Sequence, residues 1–228
     1  MNGILYIIPT PIGNLGDITR RSAEVMSAVD VIACEDTRTS SVLLRHLGIS
    51  KPLVSFHQHN EHRKVAELIE RLKNGEQVAL ISDAGTPGIS DPGFLAVRQA
   101  HIEGIQVIAL PGPSAAITAL VGSGLPCDRF AFEGFLPVKK GRKTRMQQIA
   151  MEDRSIILFE SPHRIKRLLT DIVEHCGEQR IVAVARELTK KFEEIVRGNA
   201  ADVLAEFAGR ASIKGEIVVI ISGSGYTE

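Results

Sequence analysis

At 228 residues the chain exceeds the ~100 to 150 residues common for a single core, so one large domain or two small ones fit it. Its 44% hydrophobic and 24% charged residues exclude global disorder, and its longest apolar runs, such as Ile217 to Ile221, are too short for a membrane-spanning helix. Lysine and arginine balance aspartate and glutamate, 27 against 27, which excludes a protein that coats nucleic acid by bulk charge. The first basic residue is Arg20, so no basic leader is read and a cytoplasmic protein is expected. Cys34, Cys127 and Cys176 are odd in number and widely spaced, which indicates neither a disulfide framework nor a zinc knuckle.

The first β-rich run, Ile4 to Ile8, leads into the loop PTPIGNLGD at 9 to 17. There Gly13 and Gly16 permit close approach of backbone to a ligand, or simply a tight strand-to-helix turn, and Asp17 with Thr19 can cap a helix running to Val29. The spacing is neither G-x-G-x-x-G nor G-x-x-x-x-G-K-[ST], so neither a dinucleotide fold nor a P-loop is supported. A second strand, Val31 to Cys34, precedes the loop EDTRTS at 35 to 40, whose Glu35 and Asp36 beside Arg38 suit either an ion-pair brace or a site. Leu53 to Phe56 is a third strand, followed by HQHNEH at 57 to 62. His57, His59, His62 and Glu61 lack the cysteine or second carboxylate cluster of a recognisable metal spacing, so no metal is expected. Asn60 reads as the cap and Gly75 as the stop of a helix with Val65, Leu68, Ile69 and Leu72 on one face.

The fourth strand, Val78 to Ser82, opens into DAGTPGISDPG at 83 to 93, where glycine and proline set a rigid backbone with little side-chain bulk, as an enclosed planar ligand requires. After Gln106 to Leu110 comes PGPSA, in which Pro111 and Pro113 fix φ and Ser114 can cap the next helix. Strands alternating with helices predict a mostly parallel sheet whose post-strand loops gather at one edge, the place where ligands bind. The rim so formed lacks a phosphate-cradling lysine and suits a neutral or cationic ligand. A domain boundary is placed at Pro113, giving an α/β domain over 1–113 and a second over 114–228.

The second half has strands at Phe130 to Phe135, Ser155 to Glu160, Arg180 to Leu188, Glu193 to Gly198 and Glu216 to Ser222, with helices at Arg164 to His175 and Ala201 to Phe207, which predicts a mixed sheet. Lys139, Lys140, Arg142, Lys143 and Arg145 fall within seven residues, a candidate phosphate-binding run or else a solvated linker. His163, Arg164, Lys166 and Arg167 form a second basic cluster at a helix start, where cations call for a compensating anion.

PTPIGNLGDITRR, ACEDTR, SDAGTPGISDPG, PGPSA, FEGFLP with its basic run, and FESPHR together resemble the tetrapyrrole methylase superfamily, in the branch that methylates ribosomal RNA. The resemblance runs from Leu5 to Ser222. It implies a homodimer of two α/β domains that binds S-adenosyl-L-methionine in the cleft between them and methylates the ribose 2′-hydroxyl of a cytidine in the decoding region of bacterial 16S RNA, with the assembled 30S subunit as expected substrate and no membrane. By motif, the cofactor would meet Ile12, Asp83, Thr86, Ser114 and Ala115, with looser matches at Phe159, Leu188 and Gly215. The superfamily's common G-D-P reads Ser82-Asp83-Ala84 here, a departure found in the ribosomal branch.

Methyl transfer from a sulfonium is an in-line displacement, helped by a base that takes the hydroxyl proton. Candidate bases are Glu35, Asp36, Glu160 and, if its pKa is depressed, Lys190. Arg164 and Arg186 are candidates to hold a flanking phosphate, with Lys139 to Arg145 as further RNA contacts. Rival readings are methylation of a tetrapyrrole-like small molecule, a non-catalytic nucleotide-binding dimer, and an RNA-binding protein without a small-molecule site.

Overall fold

A computed structural model describes residues 2–58 and 60–228 and divides the chain into two compact units, Met1–Ser114 and Ala115–Glu228. The first unit alternates strands with helices: β1 (Ile4–Ile7), α1 (Arg20–Ala28), β2 (Val31–Cys34), α2 (Thr37–His46), β3 (Leu53–Ser55), α3 (Glu61–Lys73), β4 (Val78–Ile81), α4 (Phe94–Ile102) and β5 (Gln106–Ala109). All pairings are parallel and the order is β3-β2-β4-β1-β5. The inner strands VIAC and VALI are buried at every position, as expected of strands covered on both faces, whereas β3 and β5 at the edges are only half-buried or exposed. One face buries Leu5, Ala33 and Leu80 under Leu68, Ile69 and Leu72 of α3 and Ala96 and Ala100 of α4. The other buries Ile8, Ile32, Cys34, Ala79 and Ile81 under Met26 of α1 and Leu44 of α2.

Several helix boundaries have visible chemical causes. Thr19 caps α1 by accepting from the Ser22 amide at 3.0 Å, a contact typically worth ~1 kcal/mol, while Asp17 sits one turn earlier in a 3-10 segment, Leu15–Asp17. Asn60 occupies the cap position of α3, yet its side chain reaches backwards, accepting from the His57 amide and donating to the Ser55 carbonyl. Residues 37 to 40, expected in a loop, form the first turn of α2, because the Asp36 carboxylate accepts from the Arg38 amide at 2.8 Å and starts the helix there.

The second unit contains α5 (Ala115–Gly122), β6 (Phe130–Phe135), α6 (Arg142–Met151), β7 (Ser155–Glu160), α7 (Ile165–Cys176), β8 (Ile181–Arg186), β9 (Glu194–Asn199), α8 (Ala200–Gly209) and β10 (Ile217–Ile221). Its sheet is mixed, in the order β6-β7-β10-β8-β9, with β6 parallel to β7 and the remaining pairs antiparallel. Met146 and Ile149 of α6, Leu168, Leu169 and Ile172 of α7, and Val203 and Phe207 of α8 pack on one face, and α5 packs against β7 and β10. Among the described residues, no helix is long and apolar enough to cross a membrane.

Candidate active site

In the first unit, β1 and β2 are followed by helices on one face of the sheet and β3 and β4 by helices on the other. β4 lies between β2 and β1, so at its carboxyl end the chain segments part toward opposite faces, the arrangement at which folds of this kind bind ligands. The segment from 82 to 93 emerges there and is stapled to its neighbours. Thr10 and Gly85 exchange both backbone hydrogen bonds, at 2.9 and 3.0 Å, the Thr10 hydroxyl donates to the Ser82 carbonyl, and the Thr86 hydroxyl donates to the Pro113 carbonyl at 3.1 Å. Gly85 holds φ at +76°, and a Cβ on Gly112 would stand 2.7 Å from Cβ of Pro9. Ile12, Asp83, Thr86 and Ser114 therefore belong to segments at one sheet edge, with Ile12 buried and Asp83 exposed.

This rim is acidic. Partial burial raises the Asp83 carboxyl, against the Asp36 amide that donates to it at 3.1 Å. Burial, followed by repulsion from Asp83, also raises Glu35. Asp91, which sequence reasoning did not single out, is pushed up to about 6 by burial and by the charge of Glu35, although a hydrogen bond with Ser82 works the other way. Asp36 behaves oppositely: hydrogen bonds from Arg38 hold it down at about 2, so the Asp36–Arg38 pair is an ion-pair brace. Nothing local in the sequence marks Asp91, because its burial and the nearby Glu35 are supplied by the fold; in the structure the backbone before it is strained, with Ser90 at φ +63°.

No group of His, Cys, Asp and Glu among the described residues is arranged to hold a metal. His59 lies outside the described residues. Glu61 instead accepts from the amides of Gly93 and Leu95, at 3.0 and 3.3 Å, and so closes the amino end of α4.

In the second unit, Phe159, Leu188 and Gly215 come together at one end of the mixed sheet, where Glu160 and Arg186 both register with Ile217. The backbone is strained beside them: Glu187 and Thr189 hold positive φ, +53° and +66°, and Gly215, at φ +94°, faces the Glu187 side chain where a Cβ would collide. Two candidate bases lie nearby. Lys190 does not have the depressed pKa a base would need: desolvation lowers it, but hydrogen bonds to Glu216 and Glu187 outweigh this and raise it, so the group stays an ammonium. The Glu160 side chain has no exposed surface and is engaged with Arg164 at 2.7 Å.

The cationic candidates divide in the same way. Lys139, Lys140 and Lys143 are exposed. Arg142 is not: it is 4% exposed, donates to Asp171 at 2.6 Å and lies 3.9 Å from Glu160, so it is an internal cation and not a surface contact. Arg145 pairs with Glu133. Arg186 is tied to Glu194 and to the carbonyls of Lys214 and Phe192, which uses its donors within the protein. Arg164 remains half-buried, joined to Glu160 and to the Ser161 hydroxyl.

Residues 4–204 match the family described as Tetrapyrrole (Corrin/Porphyrin) Methylases. The chain is 53% identical over 227 residues to a ribosomal RNA small subunit methyltransferase I of Haemophilus influenzae, covering 98% of this chain and 80% of that one. It is 52% identical, with the same coverage, to the protein of that name from Pasteurella multocida. A crystal structure of uroporphyrin-III-C-methyltransferase from Thermus thermophilus superposes with a TM-score of 0.66 at 19% identity, covering 97% of this chain and 95% of that one, which is a likeness of fold.

Proposed function

Because the chain belongs to the tetrapyrrole methylase family and is a methyltransferase, we propose that it transfers the methyl group of S-adenosyl-L-methionine to the ribose 2′-hydroxyl of a cytidine in the decoding region of bacterial 16S ribosomal RNA. The observation that carries this reading is the close likeness, over nearly the whole chain, to relatives named for small-subunit ribosomal RNA. The enzyme is proposed to act in the cytoplasm as a homodimer, on the assembled 30S subunit.

The first unit's rim fits a methyl donor of this kind. Its charges, Glu35, Asp83 and Asp91, complement a sulfonium and an ammonium group, and no lysine stands among them to favour a phosphorylated cofactor. Gly85 and Gly112 present bare backbone, and a side chain on Gly112 would meet Pro9. Asp83, Thr86, Ser114, Ala115 and the apolar Ile12 would hold the donor, and Phe159, Leu188 and Gly215 are proposed as further contacts. When bound, the donor supplies an electrophilic methyl carbon.

Acceleration then rests on orientation and on removal of one proton. Of the four candidate bases, Glu35 best combines a half-exposed place on the rim with raised basicity. Asp36 is too weak a base while Arg38 holds it, Glu160 is enclosed, and Lys190 is charged. RNA contact falls to the exposed Lys139, Lys140 and Lys143.

The test is transfer of labelled methyl from S-adenosyl-L-methionine to small ribosomal subunits lacking the modification. Label recovered in 2′-O-methylcytidine is expected. Asp83→Ala should lose donor binding, whereas Lys139→Ala with Lys140→Ala should keep it and bind RNA more weakly. Equal loss of donor affinity in both variants would overturn that division, and label entering only a tetrapyrrole would overturn the substrate.

A further inference from the structure

Between α6 and α7 the second unit carries a cavity of about 500 Å³. Lys139, Arg142 and Lys143 line it from the start of α6, and Arg167, Asp171 and His175 from successive turns of α7. Its acids are Asp171, already engaged with Arg142 at 2.6 Å, and Glu174. Among the described residues no ion pair occupies Lys139, Lys143 or Arg167, and all three are exposed. The cavity therefore carries an excess of positive charge on a chain that is neutral overall.

Two further features point to a ligand. α6 starts at Gly141 in the left-handed region, φ +85°, with no side-chain cap; the Arg142 amide donates to the Lys139 carbonyl at 3.3 Å, and the amides after it take no side-chain acceptor from the cap residue. Arg142 is 96% buried, since its exposure is 4%, and while Nε and Nη1 donate to Asp171 and Pro137, its Nη2 has no partner among the described residues. Arg142 is thus a buried cation that lends its charge to the cavity it lines, while the exposed side chains make the contacts.

We infer that this cavity is a phosphodiester-anchoring subsite for the RNA backbone, in which the exposed Lys139, Lys143 and Arg167 surround one phosphate and the charge of the buried Arg142 adds to their field. The inference rests on the ribosomal RNA reading above and refines it, since it assigns backbone recognition to a built cavity shared by two helices and not to the basic run as a flexible tail. A phosphate contact of this kind positions the strand without reading its bases.

The experiment uses the full chain with a fluorescent RNA strand spanning the target and with small subunits, comparing wild type, Arg167→Gln, Lys143→Gln and, as a charge control in the other unit, Arg98→Gln. All three replaced side chains are exposed, so folding is retained, with donor binding as the check. Arg167→Gln and Lys143→Gln are each expected to weaken RNA binding about ten-fold and to make it less sensitive to salt than that of wild type. They should raise KM with kcat unchanged, and Arg98→Gln should do neither. If wild type binds and methylates RNA but the two cavity variants match Arg98→Gln, the subsite is refuted while the substrate stands. If wild type neither binds nor methylates RNA, both fall. Inorganic phosphate supplies the last arm: binding as tight as that of the RNA strand, abolished in Arg167→Gln, would make this a free-anion site and overturn the proposal.

Discussion

At the scale of single residues, Asp91 carries the most consequential departure from ordinary behaviour. Its carboxyl is raised from 3.8 to about 6, first by burial and then by the charge of Glu35, so the folded chain holds a proton there that the unfolded chain has released. The native state binds more protons than the unfolded state between about 4 and 6, and stability must fall as pH rises through that window. Asp91→Asn removes the titration: between pH 4 and pH 7 in urea denaturation, wild type is expected to lose about 1 kcal/mol more than the variant, a figure discounted for the residue's partial exposure. An equal loss in both would place the cause elsewhere, for instance in Glu35 or Asp83, which are raised in the same direction. Asp36, on the same rim, works in the opposite direction, since Arg38 holds it at about 2 and its contribution to stability is lost as pH falls from its ordinary range towards that value.

At the scale of elements, the segment from 83 to 93 is held at its far end by a residue from another helix. Gly93 is the cap residue of α4 and keeps φ at +143°, with a Cβ there only 3.3 Å from the Gly88 amide, so this position cannot carry a capping side chain of its own. Glu61, 32 residues earlier, does the capping instead, and its negative charge also suits the amino end of a helix. Glu61→Ala is expected to lower stability by about 1 kcal/mol in denaturant melts and to weaken donor binding by loosening the rim, whereas Glu61→Gln, which keeps an acceptor oxygen, should recover most of both. A Gln variant as impaired as Ala would assign the effect to charge alone. The same cap also marks what sequence can reveal. The ten strands among the described residues announce themselves through runs such as VALI and IVVII, and each is found within two residues of its expected bounds, because apolar burial is written locally. Glu61 in a histidine-rich segment, Arg142 in a basic run and Thr37 in a polar stretch are all disguised by their neighbours, and their roles as cap, internal cation and helix start come from partners brought in by the fold or from a single preceding aspartate. The rim loops were legible because glycine and proline constrain backbone directly, whereas the raised basicity of Asp91 depends on burial and on Glu35, 56 positions upstream in the chain, measured by residue number.

At the scale of the whole molecule, 27 basic and 27 acidic residues leave no long-range field to draw in a polyanion. Exposed cations are further reduced by internal pairing, since Arg145, Arg154, Arg164, Arg186 and Arg210 all sit in ion pairs, and Arg142 is enclosed. Outside those pairs, Lys139, Lys140, Lys143 and Arg167 are the exposed cations gathered in one place, on the second unit, whereas Arg21, Arg45, Arg63 and Arg98 are spread along the first, so the cluster itself supplies few phosphate contacts. Nonspecific affinity scales with the number of phosphates neutralised, so a footprint this small binds flexible RNA weakly at physiological salt. Discrimination must then come from a shape that is already fixed, because a preformed RNA surface avoids the entropy loss of ordering the strand upon binding. On the proposed substrate, the assembled small subunit should therefore be methylated at least about ten-fold faster at limiting concentration than the same RNA stripped of protein, with the difference residing in KM. Raising salt from about 50 to about 200 mM should erode the protein-free reaction and leave donor binding nearly unchanged, since at the proposed site the donor would meet carboxylates over short distances. Comparable rates on free and assembled RNA would mean that the few exposed cations suffice and that the neutral surface places no demand on the shape of the substrate.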